Sequence, residues 1–203
     1  VSEYSLTVKR EAGMGTRDRI LDAATDIMRR SGVTRATTKQ IAKAAGYSEA
    51  TLYKHFADKE ELIVSVLRER MPDPSGLRPD PGRASVQDNL TGIARAVTAF
   101  YQQALPLFGG LLAEHTRIAG HREAMSRRGA GPGHAITRIA EYLRTEQDSG
   151  RVSPDADVET AAVLLDGACF HQAFLEYYAH GPEAGSVPDD TVERIARTLV
   201  RAL

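Results

Sequence analysis

"TTKQIAKAAGYSEATLYKHFADKEEL", residues 37–62, decides the fold. Thr37 followed three residues later by Gln40 forms a capping box, which starts a helix by satisfying amides that a helix start leaves unpaired. The inner face of that helix is expected to be Ile41, Ala44 and Ala45, small enough for a second helix to come close. Gly46 supplies a sharp turn that residues with a Cβ resist. Ser48 caps the next, short helix. Leu52 and Phe56, four apart, share its inward side. Glu49, Ala50, Tyr53 and Lys54 are then left outside, with His55 next in the chain. Asp58 caps a further helix whose first turn holds Lys59. A lysine there opposes the helix dipole, so an anion outside is implied, and phosphate is the natural one. A helix, a tight turn and a short second helix with a buried rear make the helix-turn-helix pattern, in which the second helix enters the major groove.

Outward from this stretch the chain is helical. Residues 16–31 place Ile20, Leu21, Ala24, Ile27 and Met28 on one face, and Gly32 ends the run. Residues 58–70 carry a stripe of Leu62, Ile63, Val66 and Leu67. "MPDPSGLRPDPGRAS", residues 71–85, has four prolines and two glycines, and no helix is expected to cross it. Beyond it the periodicity predicts helices over 86–103, 106–118, 134–148, 155–180 and 189–203, with Pro106 at a start or a kink. A short helix at "HREAMSRR" and a break at "GAGPG", residues 129–133, fall between them. The fold class is all-α. Residues 1–71 form a helix-turn-helix domain opened by a flexible arm over 1–15, residues 72–85 a linker, and residues 86–203 a larger helical domain.

Residues 1–71 hold 13 Lys+Arg and 10 Asp+Glu, and residues 72–203 hold 13 and 17, so a mildly basic front precedes an acidic back. That balance matters only because the front also holds the motif. One cysteine, Cys169, excludes an internal disulfide and fits a reducing compartment. No apolar run approaches the roughly 20 residues that span a bilayer, and the opening residues lack an apolar signal core. A cytoplasmic protein is expected, with no membrane partner. "ETAAVLLDGACFHQAFLEYY", residues 159–178, is apolar almost all round, so it needs cover on more than one side. Either it is the central core helix or a second copy of the chain supplies the cover.

The stretch "RDRILDAATDIMRRSG" together with residues 37–63 resembles the TetR family of bacterial transcriptional repressors. Tyr47 departs from the family's usual valine, and Glu49 from its usual basic or polar residue. The resemblance implies a homodimer through the last two helices, double-stranded operator DNA as partner and an unknown small-molecule inducer. It also implies roles position by position. Thr38 and Lys39 match positions that touch phosphate and a base edge. Glu49, Ala50 and Thr51 open the recognition helix, after the Ser48 cap, and match positions that face bases or phosphates. Tyr53, Lys54 and His55 match a trio that grips the backbone, and Lys59 matches a phosphate contact. Packing between helices is the other role open to Tyr53 and His55. Glu49 is either a solvated acid favoured by the helix dipole or, if it contacts DNA, an acceptor for a cytosine amino group.

No catalytic constellation is present, and neither a metal nor a cofactor is expected: the histidine pairs 115/121 and 171/180 lack the spacing of two ligands on one helix face. A ligand pocket of apolar and a few polar groups is expected in the back half. Its candidates are Phe100, Tyr101, Phe108 and His115 on the earlier helices and Phe170, His171, Phe174 and Tyr178 on the penultimate one. The competing function is a helical small-molecule-binding or enzymatic protein whose front domain docks a protein partner.

Overall fold

The computed structural model describes residues 15–72, 82–112 and 133–203, with only the backbone for 108–112 and Pro182. The expected arm, most of the linker, His115, the "HREAMSRR" helix and nearly all of "GAGPG" lie outside the described residues, as does the Phe108 side chain. Among the described residues there are eight α-helices and no strands. They belong to two compact units, the first comprising residues 15–70 with 110–112 and the second Met71–Gly109 with residues 133–203.

The first unit holds α1 (Thr16–Ser31), α2 (Thr38–Ala44), α3 (Glu49–Tyr53) and α4 (Lys59–Glu69). Helix α1 buries Ile20, Leu21, Ala24 and Met28 of its expected stripe, while Ile27 is half-buried and Thr25 is buried in addition. Gly32, at φ 77, ends it. Both halves of the capping box are made: the Gln40 amide donates to Thr37 Oγ1 at 3.2 Å and the Thr37 amide to Gln40 Oε1 at 3.1 Å. The inner face of α2 differs from expectation. It is Ile41 with Ala42, while Ala44 is exposed and Ala45 half-buried. A helix of seven residues makes two turns, and which alanine faces inward depends on a rotation that its sequence does not fix. Helix α4 buries not only its stripe but Val64 and Ser65 as well, so it is covered on more than one side.

The first and last of these four helices are tied together. Arg17 donates to both oxygens of Glu69, at 2.6 and 2.9 Å. Arg70 reaches Asp22 at 2.5 Å and Asp18 at 2.8 Å. The Arg17 guanidinium holds the Glu69 carboxyl down at about 2, and it also lies 5.2 Å from the centre of the Phe56 ring.

The second unit holds α5 (Val86–Leu112) as far as Gly109, with α6 (His134–Asp148), α7 (Val158–His180) and α8 (Asp189–Val200). Helix α7 packs against α6 and α8. The expected break at Pro106 does not occur, because α5 runs through it. A proline removes one amide donor and crowds the carbonyl four residues back. Here Ala104, Leu105 and Leu107 are all buried around it, and that packing offsets the loss. Helix α7 starts later than expected, at Val158, where Asp157 accepts from the Thr160 amide at 3.0 Å. The core gathers Leu90, Val97, Leu143, Leu165 and Val192. One fully buried carboxylate, Glu146, is gripped by Arg151, whose Nε sits 2.6 Å from Oε2. Arg151 also donates to the carbonyl of Ala84 at 2.9 Å, fastening the approach to α5 onto the end of α6.

Candidate nucleic-acid interface

Gly46, at φ 82, turns the chain between α2 and α3. Ser48 then accepts from the Thr51 amide at 3.1 Å and also pairs with the Thr51 hydroxyl at 2.9 Å. Both hydroxyls therefore serve the cap. Leu52 and Phe56 are fully buried beneath α3. With its rear fixed, the helix leaves Ala50, Tyr53, Lys54 and His55 exposed, and Lys39 is exposed on α2. Tyr53 keeps 47% of its surface, which puts it at the surface and not between helices.

Three side chains join α2 to α3. Thr38 Oγ1 donates to Glu49 Oε1, and it lies 3.3 Å from the Tyr53 hydroxyl. Glu49 is half-buried by this arrangement. Lys59 differs from the expectation built on the helix dipole. Its ammonium donates to the Val33 carbonyl at 2.7 Å, which accounts for a lysine at that helix start without an external anion.

The pattern described as bacterial regulatory proteins of the tetR family matches residues 20–66, and that of the C-terminal domain of AefR-like transcriptional repressors matches residues 88–203. The chain belongs to the TetR family. Its members are DNA-binding transcription regulators and not enzymes, so this TetR-family chain is a DNA-binding transcriptional regulator. The regulator UidR of Escherichia coli is 31% identical over 156 residues, which cover 74% of this chain and 76% of that protein. Among solved structures, GusR of Salmonella enterica has a TM-score of 0.68 at 26% identity, covering 92% of this chain and 95% of that one. FadR of Bacillus subtilis, solved with stearoyl-CoA, has a TM-score of 0.67 at 15% identity, covering 91% and 98%. That last likeness is one of fold.

In the second unit of this TetR-family chain, Phe100, Tyr101, Phe170, Phe174 and Tyr178 form a continuous run of ring contacts with centroids 5.1 to 6.4 Å apart. Only Tyr101 among them is buried, and Phe100 is half-buried. Phe174, Tyr178 and His171 are exposed on the outward side of α7, with Phe170 at its edge. Among the described residues no three metal-ligating side chains converge, and no described helix is long and apolar enough to cross a membrane.

The sequence reading passed over Asp166, although a lone acid inside the apolar run of α7 was a visible signal. It is 6% exposed, and the Tyr101 hydroxyl lies 3.1 and 2.9 Å from its two oxygens. Burial pushes its carboxyl above the ordinary 3.8, and the bond from Tyr101 draws it partly back. The folded state therefore favours the neutral acid more than the unfolded state does. The contribution of this group to stability is fully present below its unfolded value and is lost as pH rises through the higher folded one. Asp166→Asn keeps an oxygen for Tyr101 and cannot ionise. Its melting temperature is expected to match the parent at about pH 4 and to exceed it at about pH 7, as read by differential scanning fluorimetry at the two pH values.

Proposed function

We propose that this regulator represses transcription by binding a palindromic operator as a homodimer, and that a small molecule held in the second unit releases it. The observation that carries the DNA interface is the fixed, capped helix α3 with Leu52 and Phe56 beneath it and Tyr53, Lys54 and His55 outside. In this reading residues 1–71 bind DNA in the cytoplasm, residues 86–203 dimerise and sense, and 72–85 link them. Lys39, Lys54, His55 and the Tyr53 hydroxyl face the phosphates, with Thr38 and Lys59 beside them. Ala50 and Thr51, following the Ser48 cap, lie nearest the base edges.

Support for the dimer is the outward side of α7, where Val163, Leu164, Phe174 and Leu175 are each 43 to 59% exposed. An apolar face of that kind on an otherwise charged surface marks an association site. Support for ligand sensing is the stearoyl-CoA in FadR of Bacillus subtilis, which makes a molecule with a long apolar tail the first class to screen here. The ligand would act by differential affinity for the DNA-competent and DNA-incompetent states of the dimer.

The test is a gel shift on DNA upstream of the protein's own gene, over a range of salt. Affinity is expected to fall steeply with salt, because phosphate contacts release counterions. Lys54→Ala should weaken binding to all sequences alike and reduce the salt slope by about 1. Tyr53→Phe should weaken it about fivefold, the worth of one hydrogen bond. Binding indifferent to salt would rule the interface out.

A further inference from the structure

We propose that Glu49 works on DNA through Thr38 and Tyr53, as the acceptor that ties the start of α2 to the recognition helix α3 and so presets the Tyr53 hydroxyl for the phosphate backbone, and that it reads no base. This rests on the interface proposed above. An acid in the first turn of α3 is favoured by the helix dipole, which explains why it is tolerated there. It does not explain why the carboxylate turns toward a residue eleven positions earlier. Glu49 Oε1 accepts from Thr38 Oγ1, and a threonine hydroxyl has one proton to give. With that proton on Glu49, the contact of 3.3 Å between Thr38 and Tyr53 leaves Tyr53 as the donor. The three groups form one relay, from the end of α3 to the start of α2 and back to the start of α3.

The consequence is geometric. Thr38 opens α2 and Tyr53 closes α3. The Thr38 hydroxyl, its proton on Glu49, is a fixed acceptor for Tyr53, so Tyr53 carries the neutral donor of the pair, and phosphate contacts set the register of a protein on its duplex. Fixing both before DNA arrives removes side-chain freedom that binding would otherwise have to freeze. The remaining bond to the phosphate needs only rotation of the Tyr53 hydroxyl, since Thr38 stays anchored by Glu49. A carboxylate drawn back to α2 is also poorly placed to reach along the groove for a cytosine amino group.

The experiment compares Glu49→Gln with Glu49→Ala, in the parent and in a Thr38→Val background, by fluorescence anisotropy on the operator. Both variants lose the charge, so the difference between them isolates the acceptor oxygen. Glu49→Gln is expected to bind about fivefold more tightly than Glu49→Ala, the worth of one retained hydrogen bond. In the Thr38→Val background the two should bind equally. Thr38→Val alone should weaken binding about as much as Glu49→Ala does relative to Glu49→Gln, which keeps the test open if the alanine variant folds poorly. Base preference, read on operators substituted at each position, should be the same for the parent and both variants. Equal binding of the two variants with Thr38 present overturns the proposal, and so does a changed preference at any base pair. Failure of the parent protein to bind DNA in a salt-dependent way would instead remove the interface itself, and the role of Glu49 with it.

Discussion

Phe56→Ala is expected to unfold much of the first unit and to abolish DNA binding with it. Phe56 heads the fully buried side chains, with 1% of its surface exposed. Deleting a buried phenylalanine side chain costs about 3–5 kcal/mol in lost burial and residual cavity. Whole domains are stable by only about 5–15 kcal/mol, so one substitution removes a large share. The guanidinium of Arg17 over the ring loses its partner too, which adds roughly 0.5–1 kcal/mol. The measurement is thermal unfolding by circular dichroism, run beside the gel shift. Tyr53→Phe is the control, because it removes an exposed hydroxyl and should leave the melt where it was. An unchanged melting temperature for Phe56→Ala would contradict its place as the packing centre under α3.

The second large effect concerns the outward side of α7. Leu164 is 59% exposed and Phe174 43% exposed in the single chain, so Leu164→Arg or Phe174→Arg should fold as well as the parent. In a two-fold interface each substitution appears twice, because the same patch meets itself. A charge buried without a partner costs several kcal/mol, and two of them should weaken the dimer by more than about a thousandfold. If this side carries the proposed dimer, sedimentation velocity is expected to show the variants as monomers at concentrations where the parent associates. Operator binding should fall with it, since one half-site alone carries half the contacts. A variant that remains dimeric would place the interface elsewhere.

The first unit was the more legible of the two, and particular residues show why. The stripe of α1, the capping box at Thr37 and Gln40, the turn at Gly46 and the inward pair Leu52 and Phe56 are all local signals, set within one helix or across one turn. They stand in the structure as the spacing implied. What failed to show was either rotation or reach. Ala42 and not Ala44 faces inward in a helix too short for its period to be decisive. Lys59 finds the Val33 carbonyl 26 residues away, and Glu49 finds Thr38 across the turn. No periodicity encodes such pairs. Pro106 misled because propensity speaks for one residue while burial of Ala104, Leu105 and Leu107 speaks for a whole segment. In α7 the composition called for cover on more than one side; α6 and α8 pack against it while Val163, Leu164, Phe174 and Leu175 stay exposed, and composition could not say which groups would stand outward.

The double fastening of Arg17 to Glu69 and of Arg70 to Asp18 and Asp22 joins the first and last of the four helices between residues 16 and 70. Thr16 begins α1 and Glu69 ends α4, and the clasp holds those two ends side by side. Every partner of the clasp lies between residues 17 and 70, so neither end can fray without breaking the pairs that hold the other.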